Sequence, residues 1–258
     1  MPKFAANLTM MFNEHEFPAR FSAAAKAGFD AVEFLFPYDC TPADVSGWLK
    51  ENKLKNVLFN LPPGDWAAGE RGIAALPGRE EEFRAGVAKG IEYAKVLGTP
   101  QLHMMAGLVP AGADLALYRK TYLANMKFAA QELAKHRLQL LLEPINTRDM
   151  PGYFLNTQAQ AHELCTECGE PNVKVQMDFY HAQIMEGDLI STFKKYFSDI
   201  GHTQIASVPN RNEPDDGEVN YIAIFKMLDD MAYQGYVGCE YRPKGKTEDG
   251  LAWFQVAK

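Results

Sequence analysis

The sequence has little cysteine, no excess of basic charge and no long apolar run. Four cysteines in 258 residues are too few for a disulfide framework, and their spacing indicates reduced thiols. Lys and Arg number 26 against 33 Asp and Glu, a net charge of −7, so the chain lacks the basic surface that nucleic-acid binding requires. No apolar run approaches the roughly 20 residues that cross a bilayer. We therefore expect a cytoplasmic chain without a signal peptide, with neither a nucleic-acid partner nor a membrane partner.

Glycine-rich phosphate-binding motifs are also missing, and only one cysteine pair has a metal-binding spacing. Neither G-x-G-x-x-G, a P-loop nor G-x-S-x-G occurs at a strand-to-helix turn, so dinucleotide, nucleotide and serine-hydrolase functions lose their main support. Cys165 and Cys168 form a C-x-x-C pair in a helical pattern without a second pair, which is insufficient for a four-ligand zinc site. We expect no nucleotide cofactor.

The sequence does contain a regular repetition, in which short apolar or β-branched runs alternate with stretches of helical period. Eight strands are predicted, at residues 3–7, 31–34, 57–61, 101–105, 138–143, 173–178, 202–205 and 236–240. Strict βα alternation favours parallel strands, and eight units in 258 residues match a closed barrel. The alternative, an open doubly wound sheet, usually has a glycine-rich first turn. The prediction is an α/β fold, a single (β/α)8 TIM barrel forming one domain over residues 1–258.

One long connection, residues 62–78, follows the third predicted strand. It is rich in glycine and proline but also contains Trp66, Glu70 and Arg71. Loops of this length are commonly functional, and a loop after a barrel strand lies on the catalytic face. We expect a lid in which Trp66 covers the substrate and Glu70 and Arg71 contact it, with an ordered surface loop as the alternative.

Four of the last five predicted strands end in a side chain that can offer oxygen to a hard cation. These residues are Glu143, Asp178, Gln204 and Glu240. In a barrel they converge on one mouth, where three carboxylates would repel one another unless a cation lay between them. An all-oxygen ligand set, with Gln204 using its carbonyl, favours Mg²⁺ or Mn²⁺ over zinc. The pattern predicts a divalent metal site, although Asp178 taken alone could instead cap the next helix.

Further candidates for substrate binding lie at or just after the strand ends. His181 follows Asp178 by three positions, so the turn after the sixth strand can direct it into the mouth. Arg211, after the seventh strand, could pair with a substrate carboxylate, or could neutralise nearby aspartates instead. Weaker candidates stand at the ends of the first, third and fourth strands: Asn7, Asn60 and His103.

This set of residues indicates proton transfer next to a carbonyl group. A metal near a carbonyl and the adjacent hydroxyl acidifies the intervening C–H bond. Glu143 and Glu240 can then take the proton from one carbon, return it to the next and manage the protons on the oxygens. The expected reaction is an aldose–ketose type isomerisation, or an epimerisation if the proton returns to the same carbon. The residues alone do not separate these two.

Four segments carry a resemblance to a known family. They are NLPPGDWAAGERGIA at 60–74, LLEPIN at 141–146, QMDFYH at 176–181 and GCEYRP at 238–243. With them the chain resembles, over its full length, the hydroxypyruvate isomerase family of xylose-isomerase-like TIM barrels, and within it the 2-oxo-tetronate isomerase branch. The resemblance implies a divalent-metal-dependent isomerase without a nucleotide cofactor. It also implies Glu143 and Glu240 as proton donor and acceptor, and the four strand-end residues as metal ligands.

The resemblance implies a small 2-oxo-3-hydroxy acid as substrate, which fits the presence of Arg71 and Arg211 near the mouth. We expect conversion of 2-dehydrotetronate to 3-dehydrotetronate, with hydroxypyruvate to tartronate semialdehyde as the alternative. Less favoured are a ketose 3-epimerase, an abasic-site endonuclease, against which the net charge of −7 counts, and a non-catalytic binding barrel. The sequence leaves room for a homo-oligomer.

Overall fold

The alternation of strands and helices closes the chain into a barrel. The computed structural model describes residues 2–257. Its eight strands are β1 (Lys3–Asn7), β2 (Ala31–Glu33), β3 (Lys55–Asn60), β4 (Gln101–His103), β5 (Gln139–Leu142), β6 (Val173–Asp178), β7 (Ile200–Ile205) and β8 (Tyr236–Cys239). Each strand pairs in parallel with the next, and β1 pairs with β8, so the sheet closes on itself. The predicted (β/α)8 barrel is confirmed.

The helices follow the strands along the chain and surround the barrel. They are α1 (Phe17–Lys26), α2 (Pro42–Glu51), α3 (Glu80–Leu97), α4 (Leu115–Ala134), α5 (Gln158–Cys168), α6 (Phe179–Met185), α7 (Leu189–Tyr196), α8 (Tyr221–Asp230) and α9 (Ala252–Ala257). Local sequence explains their ends: Thr41 accepts a hydrogen bond from the backbone N–H of Asp44 at the start of α2, and Gly98 ends α3 with a left-handed φ of 72°. Within residues 2–257, no helix combines the length and apolarity of a membrane span.

The main apolar core lies between the barrel wall and the helices. Phe4 of β1 packs edge-on against Trp253 and Phe254 of α9, with ring centroids 5.3 and 5.7 Å apart. Edge-to-face aromatic pairs of this kind add to the free energy gained by burying the rings. This outer layer fixes the strands, and therefore the positions from which the polar side chains reach the barrel mouth.

Strand geometry carries polar side chains to the mouth of the barrel. A small apolar cluster that includes Ala5 and Leu141 is separate from the main core. Side chains two residues apart face the same side of a strand, so Asn7 and Glu143 follow Ala5 and Leu141 on that side. They stand at the carboxyl ends of the strands, where TIM barrels form their active sites.

Several predicted strands extend too far toward the mouth. The runs predicted at 31–34, 101–105, 138–143 and 236–240 end one or two residues earlier in the structure. Apolar residues beyond the true ends are still buried, so hydrophobicity alone does not mark where a strand stops. As a result, two predicted strand-end glutamates lie one residue beyond their strands.

Candidate active site

The carboxyl ends of the last four strands hold the four predicted metal ligands. Asp178 ends β6, and Gln204 is the penultimate residue of β7. Glu143 and Glu240 directly follow β5 and β8. Asp178 and Gln204 are direct partners in the strand register, which places them side by side on neighbouring strands. All four residues are buried, as the convergence of strand ends in a barrel predicts.

Three of these residues form a compact group with His181. The mouth cluster, as we name it, consists of Glu143, Asp178, His181 and Glu240, and one ligand atom of each lies within 4.8 Å of the others. His181 reaches the group because α6 begins directly after Asp178, which puts position 181 one helical turn further on. A buried set of oxygen and nitrogen ligands this close could hold a metal ion.

Two carboxylate oxygens of the mouth cluster have no hydrogen-bond partner among the described residues: Oε1 of Glu143 and Oδ2 of Asp178. The other oxygen of Asp178, Oδ1, accepts a hydrogen bond from the backbone N–H of Tyr180 at 2.8 Å. Asp178 therefore caps α6 with one oxygen and turns the other toward the cluster. Buried carboxylate oxygens without donors are costly, which fits a site built for a cation.

Arg211 brings a positive charge to this group. Its Nη2 donates to Oε2 of Glu240 at 2.5 Å and lies 3.8 Å from Oδ2 of Asp178. Its Nη1 donates to Oδ2 of Asp149 at 3.3 Å, and the guanidinium lies over the Tyr180 ring, 4.9 Å from its centroid. The backbone of Arg211 is left-handed, with φ of 58°, an uncommon conformation for a residue with a side chain. The predicted proximity of Arg211 to the site is therefore seen in the structure.

Burial and mutual repulsion govern the protonation of the three carboxylates. Burial raises the pKa of Glu143 well above its usual value, and the carboxylates of Glu240 and Asp178 raise it further. Burial also raises the pKa of Asp178 to about 6 and that of Glu240 to about 8, against the opposing effect of Arg211. When ionised, the three carboxylates of the mouth cluster and the Arg211 guanidinium together carry two negative charges. A divalent cation would neutralise them and favour the ionised forms.

Both ring nitrogens of His181 have polar neighbours. In the loop after β5, Asn146 accepts from the backbone N–H of Asp149 through Oδ1, which turns its Nδ2 toward Nδ1 of His181 at 2.6 Å. Burial and the nearby Arg211 hold the pKa of His181 well below its usual value, so the ring is neutral. Nε2 of His181 lies 3.8 Å from Oε1 of Glu143 and 3.4 Å from Nη2 of Arg211. His181 thus places one nitrogen of a neutral ring at the mouth.

His103 and Asn60, at the ends of β4 and β3, lie beside the same cluster. Nδ1 of His103 is 3.3 Å from Oδ1 of Asn60 and 3.5 Å from Oε2 of Glu143. Burial lowers the pKa of His103 to about 3, so this ring is also neutral. His103 thus supplies a polar contact to Glu143, and Asn60 contacts His103, without adding charge to the site.

The end of β2 contributes Glu33, which sequence reasoning missed. Asn7 donates through Nδ2 to Oε1 of Glu33 at 3.0 Å and to Oε1 of Glu240 at 3.2 Å, so it links two carboxylates. Glu33 is buried and ends its strand in the same way as Asp178. The signal was present in the sequence, but the predicted strand ran on to Phe34 and placed Glu33 inside it.

Gln204 is bonded at both ends of its side-chain amide. Its Nε2 donates to Oε1 of Glu33 at 2.7 Å, and its Oε1 accepts from Nε2 of Gln176 at 2.5 Å. A carbonyl oxygen has two lone pairs, so one remains after the bond from Gln176. The structure places Gln204 beside Asp178, and its role as a metal ligand stays a prediction.

The long loop at 62–78 does not bring its charged residues into the mouth cluster. Glu70 pairs with Arg79 at 2.7 Å, and Arg71 stacks on the Trp66 ring at 4.1 Å from the centroid. The second half of the loop is packed, since Gly72 forms a bridge with Ala106. Substrate contact by Glu70 and Arg71 stays a prediction.

Comparison with known proteins places this geometry in a family. Residues 21–256 match the family model described as xylose isomerase-like TIM barrel. The chain is 55% identical to the 2-oxo-tetronate isomerase of Cupriavidus necator, over 99% of this chain and 98% of that protein. It is 49% identical to the hydroxypyruvate isomerase of Escherichia coli, over 98% of both.

A solved structure from Brucella melitensis, described as an AP endonuclease of family 2, matches with a TM-score of 0.98. Its sequence is 52% identical, and the match covers 99% of both chains. The resemblance predicted from four short segments is therefore confirmed over the whole barrel. The chain belongs to the xylose isomerase-like TIM barrel family.

Proposed function

We propose that this isomerase is divalent-metal-dependent and moves a carbonyl group between carbons 2 and 3 of a small 2-oxo-3-hydroxy acid. The observation that carries the proposal is the placement of two buried glutamates, Glu143 and Glu240, in one cluster with Asp178. The names of the relatives support an isomerase. The mechanism follows from what each side chain can do at its position.

The metal site would use Glu143, Asp178, Gln204 and Glu240. The partnerless oxygens of Glu143 and Asp178 and the two excess negative charges suit a divalent cation. An all-oxygen set favours Mg²⁺ or Mn²⁺. When bound, such an ion would polarise the substrate carbonyl and acidify the C–H bond beside it. We leave His181 out of this set and assign it to the substrate.

The two glutamates would move the protons. One carboxylate removes the proton from carbon 3 and leaves an enediolate across carbons 2 and 3. The same carboxyl group, whose proton exchanges with solvent, then delivers a proton to carbon 2, while the second carboxylate transfers a proton from the oxygen on carbon 3 to the oxygen on carbon 2. A glutamate carboxylate can both accept and release a proton, as these transfers require.

Arg211 and His181 would orient the substrate. The guanidinium of Arg211 reaches the mouth cluster and can pair with the substrate carboxylate, which takes no part in the bond changes. Nε2 of His181 faces the cluster and can form a hydrogen bond with a polar group of the substrate. Both contacts hold the carbon atoms in place between the glutamates.

We favour the four-carbon substrate, 2-dehydrotetronate. The relative at 55% identity carries the name 2-oxo-tetronate isomerase, as do two others at 46 and 47%. One relative at 49% carries the name hydroxypyruvate isomerase, and four at 44 to 46% carry the name putative hydroxypyruvate isomerase. Hydroxypyruvate differs by one hydroxymethyl group and presents the same reacting atoms. It is therefore the second candidate substrate.

We do not propose for this chain the endonuclease activity after which the Brucella melitensis structure is named. Phosphate-backbone binding draws on clustered Lys and Arg, whereas this chain has 26 basic and 33 acidic residues. A small anionic substrate fits these charges better than a duplex.

The test is to measure kcat/KM for both acids with Mn²⁺-loaded enzyme, with product formation followed by proton NMR. We expect activity that disappears with EDTA and a larger kcat/KM for 2-dehydrotetronate. A larger value for hydroxypyruvate would reverse the choice of substrate, and no turnover of either acid would reject the substrate class.

Asp178→Asn is a matched variant for this experiment. Its side-chain oxygen can still cap α6 through the N–H of Tyr180, but the charge is lost. We expect it to fold normally, bind Mn²⁺ weakly and turn over slowly. Normal turnover by this variant would contradict the proposed metal site.

A further inference from the structure

A buried hydrogen-bond network lies directly beside the mouth cluster and centres on Glu33. Its Oε1 accepts from Nδ2 of Asn7 at 3.0 Å and from Nε2 of Gln204 at 2.7 Å. Its Oε2 lies 2.7 Å from Nε2 of His202, the distance of a ring N–H donating to a carboxylate. All of these residues are buried, so each contact replaces water completely.

The barrel leaves space for this carboxylate at one position. Gly238 lies on β8, and a Cβ atom built there would overlap both carboxylate oxygens of Glu33. The backbone of Gly238 is not left-handed, so its conformation does not require glycine. The missing side chain therefore serves to admit the Glu33 carboxylate to the neighbourhood of Gln204.

The partners of Gln204 determine which way its amide points. Oε1 of Glu33 accepts the hydrogen bond from Nε2 of Gln204 at 2.7 Å, so the NH₂ group of Gln204 faces Glu33. The carbonyl oxygen is thereby turned to the opposite side, where Nε2 of Gln176 donates to it at 2.5 Å. Gln176 lies on β6, the strand that ends in Asp178, so the carbonyl is directed to the β6 side of the barrel.

We propose that Glu33 is a positioning residue that fixes the orientation of the Gln204 amide and so presents its carbonyl oxygen, rather than its NH₂ group, to the metal. This inference rests on the metal site of the proposed function. Without Glu33, the amide can rotate and offer NH₂, which cannot ligate a cation. Partners of this kind, one contact removed from the ion, typically change metal affinity 10- to 100-fold.

The first variant is Glu33→Gln, which keeps the shape of the side chain but replaces one acceptor oxygen by a donor. We expect isothermal titration calorimetry of EDTA-treated protein to show Mn²⁺ binding weakened about 10- to 100-fold. In a Gln204→Leu background the same change should add less than about twofold, because Glu33 would act through Gln204. An equal loss in both backgrounds, or none in either, would overturn the proposal.

Gly238→Ala is a second variant that alters no polar group. The added methyl displaces the far end of the flexible Glu33 side chain, so the fold should persist while the Gln204 contact is lost. We expect it to weaken Mn²⁺ binding as Glu33→Gln does. Gly47→Ala is the matched control, since a Cβ at Gly47 on α2 meets no atom within 4 Å. Mn²⁺ affinity unchanged in Gly238→Ala would contradict the inference.

NMR of the metal-free protein separates this inference from the proposed function. The side-chain NH₂ signals of Gln204, assigned by their loss in Gln204→Leu, should shift in Glu33→Gln. Unshifted signals would reject the role of Glu33 whatever the metal result. If wild-type protein bound no Mn²⁺, the metal site would be rejected, and the NMR shift alone would decide whether Glu33 orients Gln204.

Discussion

The two halves of the barrel mouth differ in charge. The half formed by β5–β8 supplies the three carboxylates of the mouth cluster and, from the loop after β7, Arg211. The half formed by β1–β4 supplies Asn7, Asn60 and the neutral His103, together with Glu33. Reactive charge is thus concentrated on one side, and the other side mainly supplies hydrogen bonds.

This difference shows how a barrel can keep repelling carboxylates in one place. Charge in a buried site must be matched or neutralised, and three carboxylates from β5, β6 and β8 repel one another unless a cation lies between them. Neutral amide and imidazole groups opposite them add orientation without further repulsion, whereas Glu33 adds to the repulsion. Substitutions in the β5–β8 half should therefore mainly change the rate of the reaction and the binding of the substrate. Substitutions in the β1–β4 half and in the long loop should mainly change how the site's side chains are oriented.

The largest effect is expected for Glu240→Gln. The variant keeps the size of the side chain but cannot transfer a proton, so kcat should fall about 10²- to 10⁴-fold with the fold unchanged. Steady-state kinetics with a circular dichroism control would measure this. Turnover near that of wild type would place the proton transfer elsewhere.

A smaller effect is expected for Arg211→Ala, which removes the contact to the non-reacting carboxylate. A hydrogen bond to a charged group is worth about 1.5–3 kcal/mol, so KM for the acid should rise about 10- to 100-fold. Arg211 also lowers the pKa of Glu240, so its removal should raise that pKa further and shift the pH–rate profile to more alkaline pH. An unchanged KM would show that Arg211 only neutralises carboxylates.

The pH dependence of stability should reveal the electrostatic repulsion among the carboxylates in the metal-free protein. The pKa of Asp178 in the folded state is raised to about 6 and that of Glu240 to about 8. Their protonated forms therefore contribute to the free energy of unfolding at acidic pH, and this contribution is lost as pH rises through these values. We expect Tm to fall between pH 5 and 9, by about 2–4 °C for each kcal/mol lost. Mn²⁺ should flatten the curve, and a Tm that rises over this range without metal would refute the charge assignment.

The smallest effect is expected for Arg71→Ala. Arg71 stacks on Trp66 within the long loop, and an exposed cation–π contact is worth only about 0.5–1 kcal/mol. We expect kcat/KM to change less than about threefold, compared with the larger change for Arg211→Ala. A tenfold rise in KM would instead make Arg71 a substrate contact, as the sequence predicted.

The barrel could be predicted because the patterns that indicate it involve residues close together in the sequence. Strand and helix periods alternate along the chain, and polar residues at the strand ends, such as Asp178 and Glu240, follow apolar runs. Glu33 was harder to find because Phe34 and Leu35 continue its apolar run beyond the end of β2. The roles of Asn146 and Asp149 depend on the path of the loop after β5, which brings them to His181 and Arg211. No sequence period encodes such a path.

The most direct test of proton transfer in the β5–β8 half is isomerisation in D₂O, followed by proton NMR. Mn²⁺-loaded wild-type enzyme should introduce deuterium at the carbon that receives the proton, and Glu240→Gln or EDTA-treated enzyme should not. Product formed without any solvent deuterium, at a rate unaffected by EDTA and by the loss of Glu240, would contradict a metal-assisted transfer through these glutamates.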